Sequence, residues 1–595
     1  MSNNKYAFGI DLGTTNSALA FYAGGVPETV MIDGAKTMPS VVWYHPDGTT
    51  TVGSVAYDRK GAKDVVYSSK RDMGTDTVYH LVLEDGSEKD VTPIDVATEV
   101  LKAIISKADK RYGVINEATI TVPAYFNQKQ RTATRIAAER AGLKVVSIIN
   151  EPTAAALAYG VNRELNTVNT ILVVDVGGGT TDVTLINVSN YENDDKVPKC
   201  LRGLIKSGLD FDIISTGGNN HLGGDDYDNS IIDFAKQRLI NKSDKDNKLY
   251  LTKNFTHNRY RHLVEMWKQK YPITQLSVTC TDIESGEKRN YVFEEDDCKR
   301  AFEVFWNTIN KCIDDTMIIR KDDGSEMVYS DPIVCIPVGG STKNPMLLEA
   351  IKKRFSSTDI QIPSPVFADE SIALGASVAC AIAKGSVTDI SFKEVNPIPI
   401  GISATKKDGN TLINGCFAQV IGKDVPLPVS KTFGYATAVD NQEVLSIKVY
   451  QGFSSFVSGN ELLGTLIVED LPQGKAGEVE IEITFDVSVD GILTVTAKSG
   501  DKVLSAKMNS VLNSASRTYT PMEERALQYM KTVRIYMEAV GDVGDKDYNA
   551  VCNWLPGDAY PEYSIKYRKE ISNFVRHKIV ETKTSVFDDD NDDEE

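Results

Sequence analysis

The sequence predicts a multidomain chain with an α/β half, a small antiparallel β domain and a helical end. Three observations carry that reading. Apolar runs alternate with helical stretches from Lys5 to about Gly385, the apolar period falls to two after Pro397, and helical spacing returns after Thr520. At 595 residues the chain exceeds a single core, and ordinary domain sizes give roughly three or four folding units.

In the α/β half, two apolar strands each run into Asp-x-Gly and a hydroxyl-rich turn. The first is Ile10-Asp11-Leu12-Gly13-Thr14-Thr15-Asn16; the second is Val174-Asp175-Val176-Gly177-Gly178-Gly179-Thr180-Thr181-Asp182. A glycine turn closing a strand lets backbone N–H groups converge on an anion. The hydroxyls add donors, and the leading carboxylate suits a hydrated metal ion. Two such turns are suited to gripping one polyphosphate from opposite sides. Further glycine pairs stand at Leu222-Gly223-Gly224-Asp225 and Val338-Gly339-Gly340-Ser341-Thr342-Lys343, where a missing side chain lets a base or ribose lie against the backbone. Neither the mononucleotide P-loop pattern nor a Gly-x-Gly-x-x-Gly after a strand is present. One helix is legible between the turns: Asn127 caps Gln128 to Ala141, and Gly142 ends it.

Ser386 to Asn396 is short, polar and mixed, and reads as a linker. In Glu478 to Val489, apolar residues from Val479 to Val489 fill every second position, as a half-buried strand requires. Asp490-Gly491 then favours a type I′ hairpin turn, with Leu493, Val495 and Ala497 on the return strand. Thr520-Pro521-Met522-Glu523 joins a capping box to Pro at the first helical position. Ala526, Met530, Val533, Met537 and Val540 follow at helical spacing.

Composition excludes several classes. A net charge of −18 argues against binding a nucleic-acid backbone, although seven of the last eight residues, Asp588 to Glu595, are acidic and account for part of it. No run of about 18 apolar residues exists, so no membrane span is expected. The first strand begins at Tyr6 without a basic or apolar signal before it, which predicts a cytoplasmic protein. Eight cysteines without a Cys-x-x-Cys pair predict reduced, mostly buried thiols and no zinc framework.

On four stretches the chain resembles the seventy-kilodalton heat-shock chaperones of the DnaK family, as a divergent member. They are Gly9 to Ser17, Ile120-Thr121-Val122-Pro123-Ala124-Tyr125-Phe126-Asn127, Ile149-Asn150-Glu151-Pro152-Thr153-Ala154-Ala155-Ala156 and His221-Leu222-Gly223-Gly224-Asp225-Asp226. The resemblance covers about residues 5 to 510. It implies a duplicated actin-like α/β ATPase domain over 1–385, an interdomain linker over 386–396 and a β-sandwich substrate-binding domain over 397–508. A short α-helical lid over 509–587 and an acidic disordered tail over 588–595 would follow.

Carried across residue by residue, the resemblance implies that Gly13, Thr14, Thr15 and Asn16 hold phosphates from one lobe, and Gly177, Gly178, Gly179 and Thr180 from the other. Asp11 and Asp175 would orient Mg²⁺ through its waters, with K⁺ as a further candidate ion. Lys70 would approach the γ-phosphate and position attacking water, and Glu151 would order water at the metal. Gly223, Gly224, Asp225, Glu265, Lys268, Gly339, Gly340, Ser341, Lys343 and Asp369 would complete an ATP/ADP site. Pro123 and Arg131 would relay nucleotide state. Ile402, Thr405, Tyr435, Ala438, Leu445 and Ile447 would line or arch over a bound peptide.

The implied function is an ATP-dependent chaperone for extended hydrophobic segments of unfolded polypeptides, with a J-domain co-chaperone and a nucleotide exchange factor as partners, and a monomeric state. Several positions depart from the family. Pro272 replaces a serine, Lys343 replaces an arginine stacked on adenine, and Thr405 replaces a methionine. A planar guanidinium stacks better than an ammonium, so weaker nucleotide affinity is expected. The linker is interrupted by Lys393, which predicts weaker docking, and both the region from Arg71 to Pro93 and the lid are short. A specialised peptide binder with weak ATPase activity, a small-molecule kinase and a polymerising actin-like protein are the competing readings. The kinase has no use for the alternating strands after Pro397, and intact Lys70, Asp11, Asp175 and Thr180 favour turnover.

Overall fold

The computed structural model describes residues 6–510, apart from 109, 162–169, 191–208, 269–274, 283, 321–325, 330–333, 357–358, 361–364, 409–410, 438, 469–470, 500–501 and 504–505. The expected lid and acidic tail lie outside the described residues, apart from 509 and 510. Backbone contacts divide the chain into two units. The first holds residues 1–398, 422–431 and 485–494; the second holds 399–421, 432–484 and 495–595.

The first unit contains two six-stranded sheets that match in the order of five strands. One comprises β1 (Ala7–Asp11), β2 (Asn16–Ala23), β3 (Val26–Thr29), β4 (Thr37–Pro39), β5 (Glu117–Val122) and β6 (Lys144–Asn150). The other comprises β7 (Thr170–Val176), β8 (Thr181–Asn190), β9 (Leu209–Asn219), β10 (Val334–Val338), β11 (Asp359–Ile360) and β12 (Ile390–Lys393). In the first sheet, β1 runs antiparallel to β2 and parallel to β5. In the second, β7 runs antiparallel to β8 and parallel to β10. The two Asp-x-Gly turns therefore occupy corresponding hairpins of a repeated sheet.

Both central strands are wholly buried, as the continuous apolar runs require. One side of the first sheet is filled by α1 (Pro93–Lys107) and α2 (Gln128–Arg140), whose Val96, Leu101, Ala133 and Ala137 share a core with Phe8, Ile10 and Ile120. Asn127 caps α2 by accepting from Gln130 N at 2.9 Å, and Gln130 returns a bond to Asn127 N, so the predicted start is correct. Two further helices are alanine-rich: α3 (Glu151–Val161) and, further along, Pro365–Ala383. A side chain at Gly375 would collide with the backbone of Ala154, and one at Gly9 with Ser377. Small residues thus let these elements meet backbone to backbone.

The second sheet packs with α4 (Gly224–Asn241), α5 (His257–Lys268) and α6 (Glu295–Met317) around Leu172, Val174, Tyr227, Val264 and Phe305. The helix Pro365–Ala383 then takes the label α7. Within the expected linker Ser386–Asn396, residues Ile390–Lys393 form the edge strand β12 of this sheet. Residues 390–393 pair in parallel with Leu209–Asp212. Lys393, the residue that breaks the apolar pattern, bonds Asp210 at 3.2 Å and Asp212 at 2.9 Å, while Ser391 donates to Asp210. The sequence departure therefore meets a matching acidic edge.

The two late segments of the first unit are fastened by side chains. Asp424 accepts from Thr216 N at 3.2 Å and Ser215 Oγ at 3.1 Å; Asp490 accepts from Arg135 at 2.8 Å and Ile148 N at 3.1 Å.

After residue 399 the described strands form two further sheets, whose residues belong to the second unit except 429–431, 485–487 and 493–494 of the first. One sheet carries β13 (Ile400–Asp408), β14 (Thr411–Ile421), β16 (Leu445–Gln451), β17 (Glu461–Val468) and β21 (Ala506–Ser510). The other carries β15 (Val429–Ala436), β18 (Glu480–Val487), β19 (Leu493–Ser499) and β20 (Lys502–Val503). Along β18 the residues Ile481, Ile483, Phe485 and Val487 are buried, as the alternation predicts. The turn is not the expected type I′, which needs positive φ at both Asp490 and Gly491: only Gly491 has it, at +72°, and Gly491 N closes the turn on Ser488 O at 2.9 Å.

Candidate functional site

The first turn leaves β1 with Asp11 buried and accepting from Thr121 Oγ1 at 3.0 Å. The Gly13 carbonyl accepts from Ser40 Oγ at 2.8 Å, fixing the turn against the next hairpin. The second turn closes on itself, Gly177 N donating to the Thr180 carbonyl at 2.9 Å. The start of α4 bonds to it: Gly224 N donates to Gly177 O at 3.0 Å and Asp225 N to Gly178 O at 2.8 Å. Ser341 Oγ adds a bond to Gly177 O at 2.8 Å.

These turns meet across one cleft of about 490 Å³. Gly13 to Asn16, Gly177, Gly178 and Thr180 line it together with Asp11, Asp175, Lys70 and Glu151. Gly224, Asp225, Glu265, Lys268, Gly339, Gly340, Ser341, Lys343 and Asp369 line it too. Gly179 and Gly223 pack closely against other segments. A Cβ at Gly179 would meet Arg71 Nε and Thr14, and one at Gly223 would meet the Gly178–Gly179 peptide. Their glycines serve contact between protein segments.

The deep end is strongly acidic. Lys70 Nζ donates to Glu151, with side-chain exposures of 7% and 8%. Burial, then the Glu151 charge, push Asp11 up to about 7; the same two causes push Asp182 to about 7 and hold Asp175 well above the usual carboxylate range. Asp175 Oδ2, Asp182 Oδ2 and Thr15 Oγ1 are buried without a hydrogen-bond partner. Buried acceptors facing one lysine fit a cation, and a buried free hydroxyl fits an anionic oxygen. Among the described residues no group of three His, Cys, Asp or Glu side chains is placed to hold a metal ion directly.

Lys268 is held by Asp228 at 2.6 Å and the Gly224 carbonyl at 3.0 Å, and burial pushes Asp228 up to about 6. Lys343 pairs with Asp369, and Glu265 accepts from Tyr57 OH at 3.3 Å. Tyr227, Asp228, Phe305, Asn344 and Ile372 also line the cleft and escaped the sequence reading. Asp228 follows Gly224 at i+4, a spacing that places both on one helix face. Asp182 escaped too, although it ends the second motif.

Arg131 is buried on α2, donating to Phe126 O at 3.1 Å, Ala124 O at 3.2 Å and Asn150 Oδ1 at 2.6 Å. Asn150 Nδ2 in turn donates to Glu394 at 2.6 Å, directly after β12. Pro123 is buried in the turn that leads to Tyr125, whose N–H bonds Asp182 at 3.0 Å. The two expected relay residues thus flank a hydrogen-bonded path from the acidic cluster to the linker strand, and Glu394 is its unforeseen member.

In the second unit Ile402 stands opposite Val449, and Leu445 and Ile447 precede it at two-residue spacing, so these three share one sheet face. Ile447 is buried, while Leu445 and Ile402 are half-buried. Tyr435 lies on the other sheet and is half-buried. Thr405 belongs to β13. Ala438 lies outside the described residues.

The chain thus has a repeated α/β sheet that brings paired Asp-x-Gly turns to one cleft, followed by a second unit of β strands. The family model for the Hsp70 protein matches residues 7–534, and the chain belongs to the Hsp70 family. Members of this family are chaperones that bind ATP and ADP with Mg²⁺, hydrolyse ATP and act on unfolded polypeptides with co-chaperones. No helix among the described residues is long and apolar enough to cross a membrane.

Proposed function

We propose that this chain binds MgATP between the two Asp-x-Gly turns, hydrolyses it, and uses the nucleotide state to set its affinity for extended hydrophobic polypeptide segments. The observation that carries the reading is the convergence of both turns, Lys70 and the acidic cluster on one cleft. Phosphoryl transfer to water asks for little covalent chemistry from the protein: charge on the phosphoryl oxygens must be neutralised and a water held in line. Backbone N–H groups and hydroxyls of Thr14, Thr15 and Thr180 bind the phosphates. Lys70, oriented by Glu151, supplies positive charge at the terminal phosphoryl group. Mg²⁺, when bound at Asp11 and Asp175, supplies the remaining charge neutralisation.

The Ile402, Leu445 and Ile447 face, with Thr405, Tyr435 and Ala438, takes the peptide, backbone pairing giving affinity and a central pocket selectivity. Pro123 and Arg131 link the cleft to the linker strand through Asn150 and Glu394. Coupling of this kind is reciprocal: if nucleotide changes peptide affinity, peptide changes nucleotide affinity by the same factor. The test is single-turnover ATP hydrolysis with and without an unfolded peptide. Acceleration by peptide and loss of hydrolysis in Lys70→Ala and Thr180→Ala are expected. Unchanged hydrolysis in both variants would sink the site assignment.

A further inference from the structure

Arg71, next to Lys70, plays no part in the phosphate chemistry above, yet it reaches across the cleft. Its Nη1 donates to Asp226 Oδ1 at 2.9 Å and its Nη2 to Asp226 Oδ2 at 2.5 Å, a two-pronged pair between the segment after β4 and the first turn of α4. The same Nη2 donates to the Gly178 carbonyl at 3.3 Å, in the middle of the second phosphate turn. Gly179 is a glycine where Arg71 Nε and Thr14 press on it from the other lobe. Asp226 is itself anchored, accepting from Gly223 N at 2.7 Å.

A second tie runs parallel. Ser68 holds φ +55°, a left-handed conformation uncommon for serine, and its Oγ donates to Asp225 Oδ2 at 3.0 Å. The short turn Ser69–Asp72 that carries Lys70 is therefore fastened at both ends to α4. Side-chain exposures of 19% for Arg71 and 28% for Asp226 leave the pair largely shielded from solvent.

We propose that Arg71 is a positioning residue that clasps Asp226 across the cleft. The clasp holds the Lys70 turn against the second phosphate turn and so sets both nucleotide residence and hydrolysis. This inference rests on the nucleotide reading above. When the lobes part, the clasp opens and Lys70 loses its brace. When they close on nucleotide, the fork on Asp226 and the bond to Gly178 form together. A lysine cannot reproduce that geometry, since its ammonium lacks the planar fork.

The test measures release of a fluorescent ADP analogue by stopped flow, and single-turnover ATP hydrolysis at saturating nucleotide. The proteins are the wild-type chain, Arg71→Ala, Arg71→Lys, Asp226→Asn and the double variant Arg71→Ala/Asp226→Asn. Expected are release about 10- to 100-fold faster in Arg71→Ala, slower single-turnover hydrolysis, only partial rescue by Arg71→Lys, and a double variant no worse than Arg71→Ala. Should Arg71→Ala fail to fold, Asp226→Asn reads the same clasp from its other half. A wild type that releases and hydrolyses nucleotide alongside an Arg71→Ala within twofold of it overturns the clasp and leaves the nucleotide reading standing. Multiplying effects of the two substitutions also overturn it. A wild type that takes up no nucleotide overturns both.

Discussion

Replacing Gly223 by alanine isolates how the second phosphate turn is held. A Cβ there would lie 2.5 Å from Gly178 C, Gly178 O and Gly179 N, all backbone atoms with no rotamer to yield. Ordinary contact needs about 3.4 Å or more, so the turn or the start of α4 must move by about 1 Å. Two hydrogen bonds join those pieces, Gly224 N to Gly177 O and Asp225 N to Gly178 O. At roughly 1 kcal/mol each, with about 1–3 kcal/mol for overpacking, the closed arrangement loses about 3–5 kcal/mol. A displacement of about 1 Å in a positioned site costs on the order of 100-fold in rate. Single-turnover ATP hydrolysis of Gly223→Ala should fall by about that factor. Gly340→Ala is the structural control, because nothing lies within 4 Å of its Cβ, and its thermal midpoint should match the wild type. Hydrolysis by Gly223→Ala within twofold of the wild type would refute the packing argument.

Asp182 offers a pH test in protein free of nucleotide and metal. Its folded pKa of about 7 exceeds the unfolded value near 3.8, so the folded state holds a proton that the unfolded state has released between those pH values. Stability from this group is fully present below about pH 4 and is lost as pH rises through 7, at up to about 1.4 kcal/mol per pH unit. The thermal midpoint of Asp182→Asn should therefore gain on the wild type between pH 5 and pH 8; a constant difference would contradict it. Lys343→Arg restores a planar cation beside the base and should tighten ADP binding about three- to tenfold by calorimetry, with no change counting against a stacking role. Lys393→Glu places a carboxylate beside Asp210 and Asp212; amide exchange over 390–393 should quicken and peptide stimulation of hydrolysis weaken, and unaltered exchange would show that the strand does not depend on these pairs.

What was legible in the sequence was local. A strand, an aspartate and a glycine turn lie within seven residues, so both Asp-x-Gly turns and the Asn127 cap could be read directly. The hairpin at Asp490-Gly491 was legible for the same reason, its period-two pattern and its turn being adjacent. What escaped depends on partners far along the chain. Spacing alone does not reveal the close neighbours of Gly223 and Gly179. Asp182 was visible in the second motif, but its burial against Glu151 arises where two sheets approach. Lys393 breaks an apolar pattern, and only the acidic edge of β9 explains how that break is accommodated.

The charge balance of the cleft constrains its ligand further. Asp11, Asp175, Asp182 and Glu151 surround buried Lys70, and burial already holds three of these carboxylates above their ordinary pKa. A free triphosphate would add negative charge to an acidic pocket. Two like charges at about 4 Å repel by roughly 4 kcal/mol at an effective dielectric constant near 20, which is a factor of about 1,000 in affinity. The turns supply N–H dipoles and hydroxyls, which stabilise phosphate oxygens without cancelling a net charge. A divalent cation reverses the sign of the local field, so the favoured ligand is the metal–nucleotide complex. Calorimetric titration of the wild-type chain with ATP in excess chelator should show affinity at least about 100-fold weaker than with Mg²⁺. Asp11→Asn/Asp175→Asn should narrow that gap, because it removes the repulsion along with the metal's partners. Equal affinity with and without Mg²⁺ in the wild type would mean that the carboxylates do not face the phosphates, and the assignment of Asp11 and Asp175 would fall.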